Sequence, residues 1–121
     1  MEKTQTQLLE KLTKDKSLND VQKYIKEVIE IRGFSKQPIE ETLLLLTEEV
    51  GELAKSIRKE KGMTVDEKRI KNYDTPASEV ADVFIVLASI CNTLKIDLFD
   101  AIKMKETINV SRSWTKKPTG L

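Results

Sequence analysis

The chain has 121 residues, enough for one domain, of which 34% are charged and only 5% aromatic. With 21 basic and 20 acidic side chains the net charge is +1, so nothing draws the whole molecule to nucleic acid or to an anionic membrane. Histidine is absent and cysteine occurs once. That excludes His-dependent triads, His-ligated zinc, Glu-x-x-His metal ligation and an internal disulfide. Any chemistry must run on carboxylates, lysines, arginines and hydroxyls.

Residues 1–16 are polar, with no apolar core of a signal peptide, and are expected to form an arm or short helix through Leu8, Leu9 and Leu12. No apolar run approaches the roughly 18 residues needed to span a bilayer, so a cytoplasmic location without membrane partners is expected. The main domain is expected at 17–115. Ser17 followed by Asp20 reads as a capped helix start, and Val21, Tyr24, Ile25, Val28, Ile29 and Ile31 form a helical apolar stripe ending at Gly33. Pro38 fits the first turn of a second helix running to about Lys61 before Gly62. Residues 62–75 form a charged connection. Thr75-Pro76 caps a third helix reaching about Leu94, and Asp97 opens a fourth that runs to about Arg112. A polar tail occupies 116–121. The fold class is therefore all-α, an antiparallel four-helix bundle.

The second helix carries Glu48, Glu49 and Glu52 beside its apolar stripe. In the third helix, Glu79 and Asp82 share a face at i and i+3, while almost every other position is apolar on all sides. Such a helix is expected to be buried, and it carries two acids with it. Burying unpaired carboxylates costs several kcal/mol each, so lysines or a divalent cation must offset them. Glu49 and Glu52 from one helix and Glu79 and Asp82 from the other could converge four oxygens on one hard cation. Without His or a Cys cluster, Mg²⁺ or Mn²⁺ is the natural choice. The alternative is that the acids pair with Lys55, Arg58 or Lys105. On the fourth helix Lys105, Asn109 and Arg112 lie on one stripe at i, i+4 and i+7, two cations and an amide suited to a polyphosphate or, equally, to a solvated helix end.

Glu48-Glu49-Val50-Gly51-Glu52 followed by Glu79-Val80-Ala81-Asp82 resembles the E-E-x-x-E … E-x-x-D signature of the MazG-like all-α nucleotide pyrophosphohydrolases. Lys105-x-x-x-Asn109-x-x-Arg112 resembles the K-x-x-x-N-x-x-R segment of their last helix, and Gly33-Phe34 resembles the aromatic-bearing turn after their first. The resemblance spans about residues 18–115. It implies Mg²⁺-dependent cleavage of a nucleoside triphosphate between its α- and β-phosphates, giving the monophosphate and pyrophosphate. It implies Glu49, Glu52, Glu79 and Asp82 as metal ligands, and Glu48 as a second metal contact or the group orienting the attacking water. Lys105, Asn109 and Arg112 would hold phosphate or sugar, and Phe34 is a candidate for the base. It also implies a homodimer or homotetramer, which agrees with a small bundle whose third helix needs cover over Ala81, Phe84, Ile85 and Ala88. Two other readings compete: a non-catalytic helical regulatory module, and a pyrophosphohydrolase of another metabolite such as phosphoribosyl-ATP.

Overall fold

A computed structural model describes residues 3–115, and the tail expected at 116–121 lies outside them. Among the described residues there are five α-helices: α1 (Gln5–Glu10), α2 (Leu18–Ile31), α3 (Ile39–Glu60), α4 (Pro76–Thr93) and α5 (Leu98–Asn109), with a 3₁₀ turn at Ile70–Asn72 and no strand. The arm is helical because Thr4 and Gln7 form a capping box, and Ser17 with Asp20 forms another at the start of α2. Thr75 and Asp97 cap α4 and α5 by accepting from the backbone N–H three residues on. The starts of α2, α4 and α5 lie where the sequence places them, and within the arm the helix is confined to Gln5–Glu10, short of Leu12.

α2, α3 and α4 end alike, with paired 6→1 and 5→2 backbone bonds that absorb orphan carbonyls. Gly33 (φ 84°) and Gly62 (φ 69°) supply the left-handed residue in the first two. In the third it is Lys95 (φ 56°), where a Cβ crowds the backbone. Lys95→Gly is therefore expected to raise unfolding stability by about 1 kcal/mol, read as a higher denaturant midpoint at unchanged slope. The Lys95 turn also delivers the Ile96 carbonyl to the side-chain amide of Gln22, tying the end of α4 to the start of α2.

The largest helix contact is α3 with α4, followed by α2 with α4; α1 and α5 each pack chiefly on α2. Ile25 and Val28 of α2 and Ala88 and Cys91 of α4 are buried, as is Leu8 of the arm, which packs on α2. The all-round burial expected of α4 does not occur within one chain. Val80 and Leu87 are exposed, whereas Ala88, expected on the uncovered side, is fully buried. The reason is topological: α3 and α2 cover part of the circumference of α4, and α5 does not fold back along the rest. Contrary to the sequence expectation, α4 is by length and composition apolar enough to cross a membrane. Here it packs against α3 and α2 and carries Glu79 and Asp82 in its first two turns.

Candidate metal and nucleotide site

The α3–α4 pairing positions the acids. Glu49 lies midway along α3, and Glu79 and Asp82 lie one turn apart near the start of α4. One carboxylate oxygen from each of the three lies within 4.8 Å of the others. Glu79 is buried, at 5% exposure, and Glu49 and Asp82 are more open. Loss of hydration raises the Glu79 carboxyl above its ordinary range, and the charges of Asp82, Asp74, Glu49 and Glu52 push it the same way. Glu49 is raised likewise, by loss of hydration first and then by Asp82, Glu52 and Glu48. No cation offsets either shift, and neither Glu49 nor Glu79 forms an ion pair within the described residues. Three convergent carboxylates with no base among them form an all-oxygen donor set, which fits a hard divalent cation.

The remaining predicted residues are placed as follows. Glu52 lies one turn beyond Glu49, outside the trio, and meets Lys55 at 3.7 Å. For this acid the lysine pairing considered from sequence is observed, although both partners are about half exposed and such a pair contributes little to stability. Arg58 donates to the Thr64 carbonyl rather than to an acid. Glu48 is exposed beside Glu49. Lys105, Asn109 and Arg112 do share one stretch of α5 and the turn after it, but the chain does not bring that stretch to the acids. There Arg112 stacks over Trp114 at 4.7 Å and donates to Asn109 Oδ1 at 3.5 Å, while Asn109 donates to Glu106.

Phe34 lines a cavity of about 270 Å³ between α2, the α2–α3 turn, α3 and α4. Leu45 in its wall is one turn before Glu49, and Ile85 and Val86 are one turn after Asp82. The cavity therefore adjoins the acid trio along both helices. Its far end is polar, with Thr42, Ser89 and Asn92. Sequence reasoning points to Phe34 and the leucine run at 43–46, which holds Leu45, but not to Ile85, Val86, Ser89 or Asn92. The only signal was spacing: these residues recur at three- and four-residue steps from the acids, which core positions also do.

The family model for the MazG nucleotide pyrophosphohydrolase domain matches residues 37–109, more than half of the chain. The chain belongs to this family. The match takes in the whole acid trio, and with it Glu48, Glu52, Lys105 and Asn109. Phe34 and Arg112 fall outside the matched span. No curated protein and no solved structure matches the chain. The arm and α2 precede the matched segment, and α2 supplies one wall of the cavity through Lys26, Ile29 and Glu30.

Proposed function

We propose that the protein is a nucleoside triphosphate pyrophosphohydrolase that requires Mg²⁺, or Mn²⁺ in its place. It would cleave a (d)NTP between the α- and β-phosphates to the monophosphate and pyrophosphate, serving nucleotide-pool control in the cytoplasm. The observation that carries the reading is the Glu49–Glu79–Asp82 trio, without an ion pair to a base among the described residues and one turn along α3 and α4 from a cavity of about 270 Å³, in a chain of the MazG family.

In this reading Glu49, Glu79 and Asp82 would hold the cation, with Glu52, now paired with Lys55, as a further ligand. The cation, once bound, supplies charge neutralisation for the phosphoryl oxygens and lowers the pKa of coordinated water. The other parts are the chain's own. Glu48, exposed one residue before Glu49, would accept a hydrogen bond from the attacking water and turn its lone pair toward the α-phosphorus. Leu45, Ile85 and Val86 exclude water from the space beside the trio, and Phe34 offers a ring to a base. Phosphoryl transfer is mainly positioning and electrostatics, so this set needs no histidine.

Lys105, Asn109 and Arg112 would hold phosphate in a homodimer or homotetramer. What supports an assembly is the apolar surface left bare: on α5 Phe99, Ile102, Met104 and Ile108 are each about half exposed or more, and Val80 and Leu87 of α4 are open too. A second copy would cover these residues and complete the four-helix bundle that one chain leaves open.

The test is to incubate the purified protein with canonical and modified NTPs and dNTPs, with Mg²⁺ and with EDTA, and to identify products. Monophosphate plus pyrophosphate, lost in EDTA, is expected. Monophosphate released with two equivalents of orthophosphate, or turnover unaffected by EDTA, would refute the reading. Silence toward nucleotides but turnover of phosphoribosyl-ATP would reassign the substrate.

A further inference from the structure

We infer that Asn92 reads the hydrogen-bonding edge of the substrate's heterocycle, and that Gln22 is the positioning residue that fixes which way the Asn92 amide faces. This rests on the nucleotide reading above and adds a specificity determinant to it.

The two side chains form a relay anchored on backbone. Gln22 is buried, and its Nε2 donates to the Ile96 carbonyl at 2.7 Å and to Asn92 Oδ1 at 3.0 Å. Its Oε1 accepts from the Leu98 N–H at 2.9 Å. A flipped Gln22 amide would set oxygen against the Ile96 carbonyl and N–H against the Leu98 N–H, so its orientation is dictated. Asn92 inherits that constraint. Its Oδ1 faces Nε2, and its Nδ2 donates to the Gln22 carbonyl at 3.2 Å. One N–H and one lone pair of Asn92 are left, and Asn92 lines the cavity.

A donor and an acceptor held at fixed positions match a ring edge that offers the converse, as amide-like and amidine-like edges of nucleobases do. The location agrees. Asn92 is ten residues after Asp82, about 15 Å along α4, with Ser89 lining the cavity in between. That is the reach from a metal-bound phosphate across a sugar to the far side of a base. A purely structural tie between α2 and α4 would need no amide at the cavity wall. An apolar pair would pack there without burying polar groups that must then be satisfied.

The experiment measures binding of the natural nucleosides by NMR titration of the full chain in EDTA, so that neither metal nor turnover is required. Each nucleoside is compared with its ring-nitrogen-methylated form on the unaltered protein. The best-bound nucleoside is expected to lose at least about tenfold in affinity on methylation. Asn92→Asp, which keeps the acceptor and removes the donor, is expected to reorder the nucleosides. Gln22→Met is expected to weaken the ranking, because the Asn92 amide then keeps only the bond from Nδ2 to the backbone carbonyl of residue 22 and loses the one that holds Oδ1. Equal binding of methylated and parent nucleosides, or a ranking untouched by Asn92→Asp, would overturn the inference and leave the amide pair as a structural tie. Nucleoside binding that obeys Asn92, with no triphosphate hydrolysed, would keep the inference and remove the catalytic reading. Hydrolysis of triphosphates without any nucleoside binding or base ranking would do the reverse. Neither binding nor hydrolysis would remove both.

Discussion

Glu79→Gln is expected to lower turnover by about 10²- to 10³-fold while leaving the metal-free fold at least as stable as the original. The two halves have one cause. The Glu79 carboxyl is buried and surrounded by Asp82, Asp74, Glu49 and Glu52, so its ionised form is disfavoured both by lost hydration and by its neighbours. A neutral amide of the same size removes the charge that the fold tolerates badly. It also removes the charge that a divalent cation needs. Loss of activity with retained or improved thermal stability distinguishes a ligand from a packing residue, for which both would fall. A variant with near-normal turnover would exclude Glu79 from the cation site.

The second large effect is linkage between pH, metal and stability. Glu49 and Glu79 both titrate above their ordinary 4.5 in the folded chain. Between that value and the raised ones the folded state holds more protons than the unfolded state. Stability must therefore fall as pH rises through this window, and level off above it. Thermal melts in EDTA are expected to show this decline from the acid side toward neutrality. Mg²⁺ acts in the opposite sense, because it binds the ionised trio. At a hundredfold excess over its Kd it would stabilise the fold by about 2.7 kcal/mol near neutral pH, and by progressively less as protons displace it. An equal Mg²⁺ increment at both ends of the window would argue that the ion binds elsewhere.

Helix boundaries were legible because caps and stops are local chemistry. Ser17 with Asp20, Thr75-Pro76, Asp97 and the glycines at 33 and 62 each act within one turn of themselves. The end of α4 near Leu94 was legible too, but not that Lys95 would take the left-handed turn there, since nothing in a lysine signals one. The acids were legible in part. Glu79 and Asp82 share a face by spacing alone, and their meeting with Glu49 follows from α3 pairing with α4. Whether Glu52 joins or pairs with Lys55 is decided by side-chain placement that spacing does not carry. The Lys105–Asn109–Arg112 stripe shows the limit most clearly. Lys105 and Asn109 lie on α5 and Arg112 in the turn after it, and where α5 runs depends on its packing against α2, which is non-local. The Gln22–Asn92 tie, between residues 70 apart in sequence, left no local trace at all.

The connection from Gly62 to Asp74 is exposed along most of its length, and it links two helices already joined by the most extensive packing in the chain. The acids that converge lie on either side of it, Glu49 before and Glu79 and Asp82 after. Chain continuity at this point brings the two halves together but does not shape what they build. The polypeptide could therefore be divided near Val65 and supplied as two fragments, one ending after α3 and the other beginning before α4. Their reassociation would recreate the acid trio across a cut backbone, turning the cluster into a sensor of whether its two fragments have been brought together.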